Sequence, residues 1–390
     1  MPVQLPATQD PDPPAPHGGN RQAAAARLGC RPAELLDASA SLVPFGPPPS
    51  LRRLLRRAEL TGLRDYPDRD YAGLRQAIAA WHGLDPAMVL PGNGAAELFT
   101  WAARDAVLCG TNLLPSPGFG DYRRALSCWG AGWQSLSLPK VWEEPGPCAW
   151  PLEAAASSAS TAGAPAGAPA VLWLTNPHNP TGQLWSRASL EPLLERYALV
   201  IVDEAFLPLV PDGEAQSLVP QLTAHPNLVV IRSLTKLFSI AGLRLGYALG
   251  APERLARWAG WRDPWPVNGL AAAVGQALMA DQAGLRRWQQ RVQRWVALEG
   301  PWLTARLAEL PALRPLPSAA NFLLVRSGVP GVSLDPLRLE LERRHRILVR
   351  DCRSFDGLGA GWLRIGLQDR AGNRRLLRAL HRAASLSSSG

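Results

Sequence analysis

The sequence predicts an α/β protein with a mostly parallel central sheet, flanking helices and a smaller α+β domain. Three short apolar runs carry this prediction: "AVLWLT" (170–175), "ALVIVDEA" (198–205) and "NLVVIRS" (227–233). Each run is continuous and is bounded by Pro, Asn or a charged residue, which is typical of strands buried on both faces of a parallel sheet. A helix with Ser186 as its N-cap is predicted between the first two runs, which gives a right-handed βαβ unit.

Length and composition limit the classes of protein to which the chain can belong. It has 390 residues, of which 47% are hydrophobic and 19% charged, enough for a large core and a second lobe. No apolar run reaches the ~18 residues that a membrane span needs, and the Pro-rich start is unlike a secretory signal. Five scattered cysteines without a C-x-x-C spacing indicate reduced thiols. We therefore expect a cytoplasmic protein with no metal site and no membrane partner.

The net charge of +9 raises the question of a nucleic-acid partner. The arginines are spread over helical segments such as "LRRLLRRAEL" and "GLRRWQQRVQRW", and no basic run is interleaved with exposed-looking aromatic residues in the pattern of a known nucleic-acid-binding module. The segment 21–37 resembles the start of a helix-turn-helix, but its second helix would be only a short turn ending at Asp37. The pattern favours solvated helix faces and a site for anionic ligands over binding to nucleic acid.

Changes in composition divide the chain into domains and tails. Long helical stretches (270–310) are followed by three strand-like runs, "ANFLLVRS", "RILVRDC" and "GWLRIGL", which indicate a smaller α+β domain. An Ala/Ser/Gly/Pro-rich segment is predicted to be a flexible insertion in the large domain. The predicted segments are a disordered Pro-rich tail (1–16), an N-terminal arm joining the small domain (17–50), the large domain (51–265) with its insertion (153–170), the small domain (266–384) and a disordered tail (385–390).

Polar residues follow the three apolar runs, at the sheet edge where open α/β sheets bind ligands. Burial lowers the pKa of a lysine such as Lys236, and nearby Arg244 acts in the same direction. The amine then becomes a nucleophile able to form a Schiff base, which arginine cannot do. A carboxylate at Asp203 is costly unless it meets a cation, and a protonated pyridine nitrogen is such a cation. Pyridoxal phosphate (PLP) requires both groups.

A cradle for the phosphate of this cofactor is predicted in "LPGNGAAELF" (90–99). Gly94 permits close backbone approach, and a helix starting near Ala95 offers unpaired N–H groups, including that of Ala96. Further phosphate contacts are expected from Ser233, Thr235 and Arg244.

Three motifs together resemble the PLP-dependent aminotransferases of fold type I, classes I and II: "TNPHNPTG", "VDEAF" and "SLTKLFSIAGLRLGY". They stand in the order of that family, and the resemblance covers nearly the whole chain. It implies that Lys236 carries the cofactor and that Asn179 hydrogen-bonds the ring hydroxyl oxygen. It also implies that Phe119 stacks on the pyridine ring and that Tyr66 reaches the phosphate of a partner subunit, and hence a homodimer. Phe206 stands where the family often has tyrosine, so one hydrogen bond to the ring oxygen is lost.

The stretches "HGGN" (17–20), "YPDRDYAGLRQAIA" and "PWPVNGLA" give a closer resemblance to the threonine-phosphate decarboxylases, relatives of the histidinol-phosphate aminotransferases. This resemblance implies decarboxylation of L-threonine O-3-phosphate to (R)-1-amino-2-propanol phosphate in cobalamin biosynthesis. Two arginines and a histidine suit such a doubly anionic substrate. Ser41 stands where this family has asparagine. The implied substrate residues are His17, Gly18, Ser41, Asn179, Arg350 and Arg364.

Two alternatives stay open at this point. The chain could be an aminotransferase of the histidinol-phosphate type, or a PLP-binding protein without turnover. Lys236, Asp203 and Arg244 together argue against the second, because a non-catalytic relative is free to lose its lysine.

Overall fold

The computed structural model describes residues 17–140, 142–151 and 170–387. The predicted tail 1–16 and the predicted insertion 153–170 lie outside these residues, apart from Ala170, which begins a strand. Residues 388–390 also lie outside them.

The strands are, in chain order, β1 (Leu36–Ala38), β2 (Val89–Gly92), β3 (Thr111–Ser116), β4 (Trp133–Ser137), β5 (Pro147–Cys148), β6 (Ala170–Thr175), β7 (Leu184–Trp185), β8 (Leu199–Asp203), β9 (Leu228–Ser233), β10 (Gly246–Gly250), β11 (Leu313–Pro315), β12 (Phe322–Ser327), β13 (Ile347–Asp351) and β14 (Trp362–Gly366). The α-helices are α1 (Arg21–Arg27), α2 (Ser50–Arg64), α3 (Ala72–His82), α4 (Ala95–Cys109), α5 (Asp121–Ser127), α6 (Arg187–Arg196), α7 (Leu234–Phe238), α8 (Pro252–Trp261), α9 (Gly269–Ala280), α10 (Gln282–Ala308), α11 (Asp335–His345) and α12 (Arg370–Ser387).

Seven strands form the main sheet in the order β2-β10-β9-β8-β6-β3-β4. Only β10 runs antiparallel to its neighbours in this sheet. The three apolar runs form β6, β8 and β9, side by side at the centre. The predicted α/β architecture with a mostly parallel sheet is therefore confirmed.

Helices cover both faces of the main sheet, which explains why its central strands are apolar throughout. In β6, Val171 and Trp173 pack into one core with residues of α4 and α8. Leu172 and Leu174 alternate with them and pack into a second core, which includes residues of α6. Since side chains alternate along a strand, a strand covered on both faces needs an apolar residue at every position.

A second, smaller sheet has the order β1-β13-β14-β12-β11. The N-terminal strand β1 pairs in parallel with β13, so the first described segment of the chain belongs to this sheet. Between α1 and β1 the chain forms only a single 3-10 turn, Pro32–Glu34. The segment 21–37 therefore lacks the second helix of a helix-turn-helix.

One helix end differs from the sequence predictions, and one agrees with them. The helix α12 continues to Ser387, into the predicted tail that starts at residue 385. Buried residues recur at helical spacing along it, including Leu376 and Leu380, and this amphipathic pattern favours continued helix. Ser186 is the N-cap residue of α6 as predicted, but its side chain makes no capping hydrogen bond. None of the helices in the described ranges is both long and apolar enough to cross a membrane.

Candidate active site

The carboxyl ends of the central strands bring the predicted acid into the site. Asp203 is the last residue of β8 and pairs in register with Thr175, the last residue of β6. Its carboxylate accepts hydrogen bonds from the Tyr122 hydroxyl at 2.7 Å and from the Ala205 backbone N–H at 2.9 Å. Burial raises the pKa of Asp203 to about 6, although both hydrogen bonds oppose the shift. A buried acid with this pKa is stabilised as a carboxylate by an added cation.

Tyr122 holds this acid and was missed by the sequence reasoning. Its hydroxyl lies 2.7 Å from Thr175 Oγ1 as well as from Asp203. The ring is fully enclosed and packs edge-on against Phe119, with 5.5 Å between ring centroids. Both residues lie in the stretch "SPGFGDY" (116–122), where Phe119 precedes α5 and Tyr122 is the second residue of that helix. Its closeness in sequence to the predicted Phe119 is the signal that could have revealed Tyr122.

Lys236 lies in the short helix α7, directly after β9. Burial lowers its pKa to about 8, and the positive charge of Arg364 adds to the shift, while Asp203 opposes it. Arg244 acts in the predicted direction, but its effect is smaller than that of Arg364. The Nζ atom lies 5.3 Å from the centroid of the Phe206 ring, which packs edge-on against Phe322. The amine therefore faces an apolar floor, because Phe206 lacks the hydroxyl that tyrosine would place there.

The glycine and the helix start that were predicted to form a phosphate cradle lie together at the start of α4. Gly94 is the N-cap residue and has a φ of +76°, which favours glycine. A Cβ on Gly94 would lie only 2.6 Å from an Arg244 guanidinium nitrogen, so the guanidinium closely approaches bare backbone. The first N–H groups of a helix, here those of Ala95 and Ala96, have no intrahelical partner. A cation beside these donors is suited to a phosphate group.

Ser233 and Thr235 flank this region on the lysine side. Both are buried, and Ser233 is the N-cap residue of α7. Its strand β9 pairs with β10 so that Ser233 lies opposite Gly246. A Cβ on Gly246 would lie 2.8 Å from the Ala95 backbone nitrogen. Gly246 thus lets the lysine-bearing segment and the start of α4 approach each other.

The two predicted arginines lie directly opposite each other on neighbouring strands of the smaller sheet, Arg350 on β13 and Arg364 on β14. Burial lowers the pKa of Arg364 to about 10, and Arg350 adds to this shift. Burial also lowers the pKa of Arg350. Arg364 hydrogen-bonds the Asn179 Oδ1 atom and the Ser39 carbonyl oxygen, the latter at 3.4 Å. No ion pair to Arg364 occurs among the described residues, so an anionic ligand would supply the missing charge.

Asn179 and Ser41 border this arginine pair. Asn179 is buried, and because its Oδ1 accepts from Arg364, its Nδ2 is directed elsewhere as a donor. Ser41 is 1% exposed, and its hydroxyl has no hydrogen-bond partner among the described residues. Such an orphaned buried hydroxyl is available to a ligand or a water molecule.

His17 and Gly18 come close to the same region at the start of the described chain. The His17 ring lies 5.8 Å from the ring of Phe119, between centroids. Partial burial lowers the pKa of His17, the Asp121 carboxylate opposes this, and Arg350 adds to it. A Cβ on Gly18 would lie 2.4 Å from the Ser39 carbonyl oxygen, so no side chain fits there. The structure thus brings His17, Gly18, Ser41 and both arginines around one edge of the site.

Tyr66 is the predicted residue that this chain does not bring into its own site. The ring is 79% exposed and stacks on Trp265, with 4.5 Å between centroids. The Arg69 guanidinium lies 5.7 Å from the same Trp265 ring.

These residues fit pyridoxal phosphate. Asp203 offers a carboxylate for the pyridine nitrogen, Phe119 an aromatic face, and Lys236 an amine for the aldehyde. The cradle at Gly94 and Arg244 offers the donors that a phosphate requires. The fold and the site together define a PLP-dependent enzyme.

Comparison with known proteins identifies the family within this class. The model of the family "Aminotransferase class I and II" matches residues 34–380, and the chain belongs to this family. It is 36% identical over 373 residues to threonine-phosphate decarboxylase of Salmonella typhimurium, which covers 93% of this chain and 95% of that protein. It is 33% identical over 353 residues to histidinol-phosphate aminotransferase of Symbiobacterium thermophilum, covering 87% and 88%.

A solved structure supports the same architecture. The crystal structure of histidinol-phosphate aminotransferase from Sinorhizobium meliloti in complex with pyridoxal-5'-phosphate is similar, with a TM-score of 0.79 and 23% identity. The similarity covers 94% of this chain and 95% of that chain. The predicted fold type I architecture, the PLP cofactor and the family are thereby confirmed.

Proposed function

We propose that the protein decarboxylates L-threonine O-3-phosphate to (R)-1-amino-2-propanol phosphate, a step of cobalamin biosynthesis. The observation that carries this proposal is the pair of buried guanidinium groups of Arg350 and Arg364, in direct register with each other. Like charges directly opposite each other on neighbouring strands are destabilising, so the pair is suited to a strongly anionic ligand. The relative from Salmonella typhimurium, 36% identical, is named for the same reaction.

The proposed reaction breaks the bond between Cα and the carboxylate, which leaves as CO₂, and Cα receives a proton in its place. When bound, pyridoxal phosphate supplies an electron-accepting ring that makes the substituents of Cα labile. The residues that orient the substrate then decide which substituent leaves. We assign this role to Arg350, Arg364 and His17, which lie at one edge of the site.

Lys236 is the residue we assign to hold the proton that is delivered to Cα. With a pKa of about 8, its amine is present in both protonation states near neutral pH, as an acid–base group requires. Asp203 is assigned to bind the pyridine nitrogen when the cofactor is bound, with a carboxylate held by hydrogen bonds from Tyr122 and the Ala205 N–H. Phe206 and Phe322 exclude water from the floor below the amine.

The decisive assay supplies L-threonine O-3-phosphate alone and, separately, histidinol phosphate with 2-oxoglutarate. We expect CO₂ from the first mixture and no glutamate from the second. Glutamate without CO₂ would favour an aminotransferase of the histidinol-phosphate type, the second candidate, which the 33% identical relative supports.

Lys236→Ala is expected to lower kcat by about 10³-fold or more, since it removes both the cofactor linkage and the acid–base group. Borohydride reduction of the wild-type enzyme followed by peptide mapping should place the pyridoxyl group on Lys236. A label on Lys140, the other lysine of the chain, would contradict the assignment.

We further propose that the protein acts as a homodimer in the cytoplasm. The exposed Tyr66 ring, stacked on Trp265, supports a role for this residue at the phosphate of a partner subunit. Five free cysteines support a reducing compartment. Light scattering at assay concentration should give the mass of two chains, and an active monomer would contradict the proposal.

A further inference from the structure

The segment between β13 and β14, residues 352–361, lies over the two arginines. We call it the arginine loop. Its Phe355 is 3% exposed, and the ring centroid lies 5.1 Å from Cζ of Arg350 and 5.8 Å from Cζ of Arg364. One aromatic ring thus contacts both guanidinium groups, at distances typical of cation–π interactions.

A second ring completes the enclosure of Arg364. The centroid of Phe322 lies 4.8 Å from its Cζ atom. Arg350 is restrained differently, by a hydrogen bond of 2.5 Å from its Nη2 to the Ser354 hydroxyl, which also lies in the arginine loop. The loop therefore contacts both cations, through the Phe355 ring and the Ser354 hydroxyl.

The Phe355 ring is held in place by a small apolar cluster. A large-domain residue, Trp142, packs against this cluster, and its Nε1 donates to the Pro317 carbonyl oxygen at 2.9 Å. The ring is therefore supported from both domains. The cluster consists of Leu316, Leu324, Cys352, Phe355 and Leu358, with Trp142 and Trp362 packed against it.

An ion pair ties the tip of the arginine loop to the large domain. Asp356, next to Phe355, pairs with Arg123 of α5. The Ser116 hydroxyl at the end of β3 lies 3.5 Å from the Asp356 carbonyl oxygen. Since Arg123 directly follows Tyr122 in α5, the ion pair connects the element that holds Asp203 to the loop that covers the arginines.

We propose that Phe355 is a positioning residue that sets the spacing of Arg350 and Arg364 for a doubly anionic substrate. The Arg123–Asp356 ion pair keeps the arginine loop, and with it Phe355, against the large domain. This inference deepens the proposed function and rests on it for the identity of the substrate. The guanidinium groups themselves bind; Phe355 acts through them.

The test compares Phe355→Leu with Leu358→Ala. The first variant keeps an apolar side chain but removes the ring that contacts both cations, while the second weakens the same cluster without touching them. Phe355→Leu should raise KM for L-threonine O-3-phosphate about tenfold and change kcat much less. Leu358→Ala should leave KM within about twofold. Equal effects of the two variants on KM would show that Phe355 contributes only packing, and would overturn the proposal.

A binding measurement separates this inference from the proposed function. Calorimetric titration of the PLP-loaded enzyme with inorganic phosphate should show weaker binding in Phe355→Leu than in Leu358→Ala. An unchanged phosphate affinity in Phe355→Leu would overturn the inference even if the wild type releases CO₂ normally. A wild type that releases no CO₂ would contradict the proposed function, while the phosphate titration would still decide the role of Phe355.

The contribution of the Arg123–Asp356 ion pair is tested by reversing the charge of each residue in turn and then of both together. Arg123→Asp and Asp356→Arg should each raise KM about two- to fivefold at low salt, and the double variant should restore it. Additive losses in the double variant would show that the two residues do not act as a pair and would overturn this part of the proposal.

Discussion

Asp203 and Glu204 are neighbours in sequence and both are buried, yet they lie in two regions of opposite character. Glu204 pairs with Arg232 at 2.6 Å, and Arg232 also forms a two-pronged pair with Glu214. Burial alone would lower the pKa of Arg232, but Glu214 and Glu204 raise it. Asp203 has only neutral donors, Tyr122 and a backbone N–H, and its pKa is raised to about 6.

The cations show the same contrast. Arg232 is balanced by two carboxylates, whereas Arg364 contacts an amide oxygen, a carbonyl oxygen, aromatic rings and another arginine nearby. This chain compensates buried charge where the charge serves the structure, and leaves it uncompensated where a ligand is expected. Perturbed pKa values of this kind are typical of functional sites.

Removing Arg232, the cation that two carboxylates compensate, should have the largest effect on stability. Arg232→Gln leaves Glu204 buried without its counter-charge, and we expect the free energy of unfolding to fall by about 3–5 kcal/mol. Urea unfolding measures this loss, and kcat of the folded variant should stay within a few-fold of the wild type. A stable variant with collapsed kcat would break the comparison, because Arg232 would then belong to the site.

Removing the uncompensated cation, Arg364, should lower activity and leave stability intact. Arg364→Gln is expected to lower kcat/KM for L-threonine O-3-phosphate by about 10²–10³-fold, the cost of removing a charge that binds an anion. Stability should be unchanged or higher, because a buried charge is relieved. Arg306→Gln, at an exposed ion pair with Glu309, is the matched control and should change neither quantity. A strong loss of stability in Arg364→Gln would show that the cation is structural.

The uncompensated acid, Asp203, should make the stability of the PLP-free protein depend on pH. Because the folded-state pKa of Asp203 is about 6, above its ordinary value of 3.8, the folded protein binds more protons than the unfolded chain between these values. Its contribution therefore makes stability fall as pH rises from about 4 to 6, by up to about 3 kcal/mol. Asp203→Asn should lack this decline when unfolding is measured across that range. Parallel curves for wild type and variant would contradict the assignment.

Tyr122→Phe should give the smallest of these effects. It removes one hydrogen bond from the carboxylate of Asp203, which lowers the preference for the charged form that binds the pyridine nitrogen. We expect PLP to be held about tenfold more weakly, as measured by equilibrium dialysis with the cofactor absorbance. Tyr247→Phe is the control, since it removes a buried hydroxyl 2.9 Å from His82 Nε2 in the compensated region. Equal PLP loss in both variants would indicate a general packing effect.

The features that local sequence determines were predictable. Continuous apolar runs predicted the three central strands, with ends that agree to within two residues. The glycine pattern predicted the helix start at Ala95, because this signal also lies within a few positions of the sequence. Motif order predicted Lys236, Asp203 and Asn179 as site residues, and their roles stay predictions. These depend on short-range pattern and on the common edge at which parallel strands end.

Features that depend on distant segments were not predictable in this way. The Tyr122 hydroxyl meets Asp203, 81 residues further along the chain, only after the main sheet forms. The dominant charge near Lys236 is Arg364 rather than the nearer-in-sequence Arg244. The partial burial of His17 likewise depends on segments far along the chain, since Phe119, Asp121 and Arg350 lie around it.

The pairing of β1 with β13 has a consequence for folding during synthesis on the ribosome. Arg27 and Glu342, which form an ion pair beside these strands, are 315 residues apart in the chain. At 5–20 residues per second, the N-terminal segment waits roughly 15 to 60 s for its partner to be synthesised. The main sheet, complete at Gly250, emerges well before that. A nascent chain therefore acquires the residues for its cofactor first and the arginines for its substrate last.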